Sequence, residues 1–209
     1  CSQKVDLNKF TGMDCYVGVD LAATSDLTAV AYLVVLDGTY YFKTHYYLPE
    51  SALKDKADKE LYKYWKQQGY LAVTSGNVTD YDYITTDMLR YADVVNIQSV
   101  GYDKYNATQW AIDSTEQGLP LEEYPQTLGN FNMPTRELER LILSGKAVID
   151  NNEINRYCFR NVTLKSDYNG NVKPNKAVDK KKIDGTIAMI QALGMYLRTP
   201  HYTNEILTI

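Results

Sequence analysis

Three aspartates stand where a strand-like run gives way to a loop or helix: Asp20 in YVGVDLAATSD, Asp103 in SVGYDKYNA and Asp184 in KKIDGTIA. Carboxylate oxygens suit hard divalent cations such as Mg²⁺, which prefers oxygen donors and keeps several waters. Taken singly, each aspartate has an ordinary explanation, because Asp is a favoured helix N-cap and complements the positive end of the helix dipole. Capping accounts for Asp103 or Asp184 alone. Three such placements around strand ends point instead to a carboxylate cluster that binds divalent metal. Without a cation, such a cluster is self-repelling, and at least one of its pKa values should rise.

The elements that must position these acids are legible from hydrophobic pattern. Residues 15–19 are apolar and β-rich, which puts Asp20 at the exposed end of a buried strand. Residues 15–20, 28–36 and 40–47 read as three successive strands, the last two joined at Asp37-Gly38, a strong hairpin signal. Pro49 is expected to break the sheet. Residues 50–68 read as one helix with Leu53, Ala57, Leu61, Tyr64 and Trp65 on its apolar side and Gly69 as its stop. Further helices are expected over 81–92, 105–116 and 135–144, with strands at 97–102 and 121–125. Residues 187–196 are too continuously apolar for a surface helix, so the helix that Asp184 opens should be buried on most sides. Strands alternating with helices after an initial meander predict an α/β fold, a mixed β-sheet flanked by helices on both faces.

Length and composition fit a single domain. The 209 residues are 44% hydrophobic, enough for a sizeable core. No apolar run reaches membrane-spanning length and no signal-peptide pattern opens the chain, so the expectation is a soluble, intracellular protein without membrane contact. Starting at Cys1, the chain reads as a piece of a longer one. Cys1, Cys15 and Cys158 are odd in number and unpaired in spacing, which argues against a disulfide framework. His45 and His201 are the only histidines and no CxxC or HxxxH spacing exists, which argues against zinc. The sequons at Asn77, Asn106 and Asn161 matter only in a secreted chain and are read as coincidence. The 19 tyrosines form no repeat and are read as amphipathic filling at the core's edge.

From 161 to 182 the chain turns polar, with a tight turn expected at Asn169-Gly170 and with Lys173, Lys176, Lys180, Lys181 and Lys182 gathered just before Asp184. Such runs are ordinarily solvated. Beside a carboxylate–metal centre they could instead neutralise the phosphates of a polyanion, on a mobile segment that guides a DNA backbone inward. The net charge of −4 argues against strong DNA binding by this domain alone.

The ordered set GVDLAATSDLTAVA, YWKQQGYLAVTSGNVTDY, GYDKYNA, RELERLILSGKAVIDNNEINRYCFRNV and KKIDGTIAMIQALG resembles the C-terminal nuclease domain of large terminase subunits from tailed bacteriophages, in the branch typified by phage HK97. The likeness runs from Tyr16 to Tyr196. It implies an RNase H-like fold whose acids bind two Mg²⁺ or Mn²⁺ ions and cut concatemeric double-stranded viral DNA during packaging in the cytoplasm of the bacterial host. By that resemblance Asp20 is the first-strand acid that bridges both ions, Asp103 the acid after the fourth strand and Asp184 the acid opening the late helix. Asp26, in SDLTA, matches a recurring family acid; it either supplements the site or forms a turn, and the turn preference of Asp favours the second. No phosphate-binding Gly-x-x-x-x-Gly-Lys-Ser/Thr loop is present. The resemblance therefore assigns the motor to an upstream ATPase domain of the same full-length chain, makes residues 1–14 a linker and 199–209 a tail around the single domain, and adds the portal and small terminase subunit as partners. The alternatives are another RNase H-like nuclease such as a resolvase or integrase, an actin-like or sugar-kinase ATPase, and a non-catalytic DNA- or capsid-docking module.

Overall fold

Asp37 and Gly38 both take positive φ (50° and 71°) and close a tight hairpin, the geometry that matches the twist of the strands they join. The computed structural model describes residues 2–22, 26–55, 57–105, 107–178 and 181–200. From that hairpin the antiparallel meander of β2 (Asp14–Asp20), β3 (Thr28–Leu36) and β4 (Thr39–Pro49) runs unbroken. It forms the middle of an eight-stranded mixed sheet. β6 (Asn96–Tyr102) pairs parallel to β2, and β7 (Leu121–Glu123) parallel to β6. On the other side, β8 (Ala147–Asp150) and β5 (Ala72–Thr74) both pair parallel to β4, and β1 (Ser2–Gln3) adds to β8.

Alternation along the strands sorts side chains to two faces. Cys15, Val17 and Val19 of β2, with Val30, Tyr32 and Val34 of β3, face α3 (Tyr81–Ala92) and α4 (Thr108–Glu116). Tyr16, Ala29, Ala31 and Leu33 face the other layer, built from α1 (Ala52–Asp55), α2 (Lys59–Gln67), α5 (Leu128–Leu143), α6 (Glu153–Arg160) and α7 (Asp184–Arg198). The mixed sheet covered on both faces is the architecture the sequence predicts. Among the described residues no helix is long and apolar enough to cross a membrane.

Several local expectations are corrected. Pro49 is the last residue of β4, paired with Thr74, and does not break the sheet before it. The single helix expected over 50–68 is two helices. Ala52 and Leu53 are buried by the first, Tyr62 and Trp65 by the second, while Ala57 and Tyr64 are exposed; one straight helix could not present both buried pairs to the sheet. α5 begins seven residues earlier than expected and contains Pro134. Proline removes the amide that would bond the Asn130 carbonyl, and the Tyr124 hydroxyl donates to that carbonyl instead, at 2.7 Å. Tyrosines also reach deeper than edge filling: Tyr32, Tyr46, Tyr47 and Tyr124 are wholly buried, the last three with their hydroxyls donating to Asn155, Asp87 and the Asn130 carbonyl.

The segment expected to be a linker is packed onto the body. β1 joins the sheet edge, and Val5, Leu7 and Phe10 are buried around a short 3₁₀ turn. Within the polar stretch after α6, residues 162–176 form a hairpin in which β9 (Val162–Ser166) pairs with β10 (Val172–Lys176). It docks on α5, where Asn132 accepts from the Val172 amide and Arg136 donates to the Gly170 carbonyl.

Candidate metal centre

Side-chain register brings the acids together. A methyl group on Gly18 would overlap the Ala188 carbonyl and the Ala192 nitrogen, so β2 and α7 touch backbone to backbone at this point. Two residues up the strand advance about 7 Å, and one turn back along the helix about 5.4 Å. Those steps lead to Asp20 and Asp184. Because β6 lies parallel to β2 with Val19 opposite Tyr102, Asp103 is the next residue on the neighbouring strand, beside Asp20. The predicted helix start at 105 is early by three residues, since α4 begins at Thr108; Asp103 lies in the turn between.

Asp20 and Asp184 line one cavity of about 520 Å³ together with Asp26, Gln126, Lys173 and Lys176. Burial pushes the Asp20 carboxyl well above its ordinary range, and repulsion from Asp184 and Asp103 adds to this against the Gln126 hydrogen bond and the Lys176 charge. Burial likewise lifts Asp184, aided by repulsion from Asp26 and opposed by its own backbone amide and by Lys176 and Lys182, to about 6. Burial alone would raise Asp26 as well. Its ion pair with Lys182 reverses the sign and holds it low, helped by the Leu27 amide and Lys176. Asp26 accepts from the Leu27 amide at 3.0 Å and lines the acidic cavity.

Asp184 does not act as a cap. Ile183 occupies the cap position without a side-chain hydrogen bond, and Asp184 is the first helical residue. Its Oδ2 is buried with no partner in the protein, whereas buried polar atoms are ordinarily paired. An orphaned carboxylate oxygen, a second carboxylate of raised pKa beside it and an all-oxygen donor set fit a hard divalent cation. The acids do not form a closed cage: among the described residues no three His, Cys, Asp or Glu side chains stand together as an ion-holding group. Asp103 is held by loop amides: its Oδ1 accepts from the Tyr105 amide at 3.0 Å and its Oδ2 from the Gln126 amide at 3.1 Å. Cys15 and Cys158 are not among the residues that line the cavity, and burial pushes their thiols up to about 12.

The lysines stand closer to the acids than a solvated run would. Lys176 lines the cavity and lowers the pKa of Asp20, Asp26 and Asp184 alike. Lys182 pairs with Asp26, Lys173 Nζ donates to the Gln126 carbonyl at 3.1 Å, and Lys181 sits 5.7 Å from the Tyr157 ring centre. Lys180 lies outside the described residues. Sequence reasoning missed Gln126. Nothing in its type marks it, and the one local signal is its place between Pro125 and Thr127, the residue that caps α5.

Comparison with known proteins agrees with this fold. Residues 2–199 match the family model described as the terminase large subunit, endonuclease domain. Protein YmfN of Escherichia coli K12 is 32% identical over 213 residues, covering 93% of this chain and 46% of that protein. The crystal structure of the HK97 bacteriophage large terminase superposes with a TM-score of 0.80 at 28% identity, over 88% of this chain and 40% of that one. A nuclease from the large terminase of thermophilic phage G20c, solved with bound magnesium, shares the fold at a TM-score of 0.59 and 12% identity, over 87% of this chain and 80% of that one. The chain thus spans less than half the length of YmfN and of the HK97 terminase. A match across nearly all of its residues, on an RNase H-like mixed sheet with Asp20 and Asp103 at strand ends and Asp184 opening the helix packed on it, places this chain in the family of terminase large subunit endonuclease domains.

Proposed function

We propose that this domain is the metal-dependent endonuclease of a phage DNA-packaging terminase and hydrolyses phosphodiester bonds in concatemeric double-stranded viral DNA. The observation that carries the reading is the pairing of Asp20 and Asp184 across the β2–α7 contact, with one Asp184 oxygen buried and unpartnered. Asp20, whose carboxyl feels the charges of both Asp184 and Asp103, would hold the Mg²⁺ or Mn²⁺ ions together with those two acids. Two such ions, when bound, lower the pKa of the attacking water and stabilise the leaving 3′ oxygen. The protein supplies the rest. Asp20 and Asp184 hold negative charge ready in a partly enclosed cavity, and Lys176 offsets part of it. Asp26, in the cavity lining and paired with Lys182, is an auxiliary group. Lys173, Lys176, Lys181 and Lys182 make the side from which a DNA backbone approaches, and Lys180 is proposed to join them by its place in the sequence.

An ATPase domain in the same full-length chain, the portal and the small terminase subunit are the partners this role requires, in the cytoplasm of the bacterial host. The test is incubation of supercoiled plasmid with the purified domain and Mg²⁺ or Mn²⁺. Nicking and linearisation are expected for the wild type. Asp20→Asn, Asp103→Asn and Asp184→Asn should each lose most cleavage at saturating Mn²⁺, because Asn keeps the shape of Asp without its charge. Near wild-type cutting by Asp20→Asn overturns the assignment, and absence of any metal-dependent cutting by the wild type leaves a DNA- or capsid-docking module.

A further inference from the structure

We infer that Gln126 is a positioning residue for the carboxylates, one loop side chain that sets the orientation of Asp20 and its spacing from Asp103. The inference rests on the metal-binding reading above. Its side-chain amide Nε2 donates to Asp20 Oδ1 at 3.0 Å, and its backbone amide donates to Asp103 Oδ2 at 3.1 Å. A single residue therefore grips two acids that come from different strands. Gln126 is itself held on every side. Its carbonyl accepts from Lys173 Nζ at 3.1 Å on the docked hairpin. Pro125 precedes it, the Thr127 amide returns to the Pro125 carbonyl at 2.8 Å, and Thr127 caps α5.

That fixity matters because of what Asp20 would otherwise do. A carboxylate beside Asp184 is driven by repulsion toward rotamers that separate the two charges. The Gln126 amide opposes this by anchoring Oδ1, and a carboxylate oxygen that accepts one hydrogen bond keeps lone-pair capacity for a cation. Groups that orient a metal ligand in this way are commonly worth about 10- to 100-fold in metal affinity.

Gln126→Met tests the assignment. It keeps the length of the side chain and both backbone contacts, and removes the side-chain amide that donates to Asp20. Mn²⁺ binding is measured by calorimetry without DNA, on wild type, Gln126→Met, Gln126→Asn and Asp20→Asn, with thermal unfolding in EDTA as the control for folding. Gln126→Asn, one methylene shorter, serves as a second variant should Met disturb the loop. The expected result is a cooperative melt for both Gln126 variants and a Kd for Mn²⁺ weakened roughly tenfold or more. A Kd within a factor of about two of wild type in a folded variant, with Asp20→Asn defective as expected, overturns the positioning role and leaves the metal-binding reading intact. Wild-type Mn²⁺ binding by Asp20→Asn overturns that reading, and the inference falls with it.

Discussion

Asp184 shows how an ordinary residue preference is displaced by its surroundings. A capping aspartate would spend its carboxylate on a helix amide; here Ile183 holds the cap position, and Asp184 Oδ2 is left buried and unpartnered. The cost appears as a carboxyl pKa raised from 3.8 to about 6. The sign follows from proton linkage. Between those two values the folded state holds a proton that the unfolded state has lost, so stability falls as pH rises from about 4 to about 6 and stays lowered above. One pKa unit corresponds to about 1.4 kcal/mol, which puts the loss on the order of 3 kcal/mol or less, since the cavity admits water. Asp184→Asn should remove that decline. Thermal melts in EDTA at pH 4.5 and pH 7 check this: the wild type is expected to lose stability over the interval and the variant to lose less. Equal pH dependence in the two proteins would mean that Asp184 is not the strained group.

At the scale of elements, α7 is the part on which the site depends. Its run of apolar residues is legible as a buried helix, and the structure buries it from Gly185 to Met195. The depth of its seat on β2 is set by Gly18. Gly18→Ala would drive a methyl into helix backbone at Ala188 and Ala192, which cannot move aside without shifting α7. Overpacking of this kind costs about 1–3 kcal/mol or more, and here it should also carry Asp184 away from Asp20. Gly101→Ala is the matched control, because the atoms it meets are the flexible end of Met195. Urea unfolding should show the larger loss for Gly18→Ala, accompanied by weaker Mn²⁺ binding, and a small loss with unchanged binding for Gly101→Ala. The reverse order would place the α7 register elsewhere.

The whole molecule carries a net charge of −4, yet presents lysines on one side of its acidic cavity. Lys173 and Lys176 stand on β10 and Lys182 on the approach to α7, each already engaged with the site rather than swinging in solvent. They are therefore poised to pass from internal partners to phosphates. Replacing Lys173, Lys176, Lys181 and Lys182 together by Ala should weaken DNA binding similarly for unrelated sequences. It should also flatten the dependence of log affinity on log salt by about one unit for each lysine that meets a phosphate. Fluorescence anisotropy across a salt series in EDTA measures this without cleavage. An unchanged slope would send the DNA to another face.

What the sequence by itself determined is whatever local pattern encodes. The strand ends at Asp20 and Asp103, the Asp37-Gly38 hairpin, the buried helix after Asp184 and the layered mixed sheet all follow from periodicity and turn chemistry within a few residues of each position. The motifs that carry the family resemblance lie in the same order along the chain. Only the tertiary structure decided which side chains meet. Gln126 reaches Asp20 across 106 residues, the β9–β10 hairpin docks on α5 and turns Lys176 inward, and the segment before β2 joins the sheet edge. It also decided that both Asp103 oxygens accept from loop amides. Periodicity gives an element its face but not its register against a distant partner. That register is set by backbone contacts such as Gly18 on Ala188, where close packing leaves the helix one seat on the sheet.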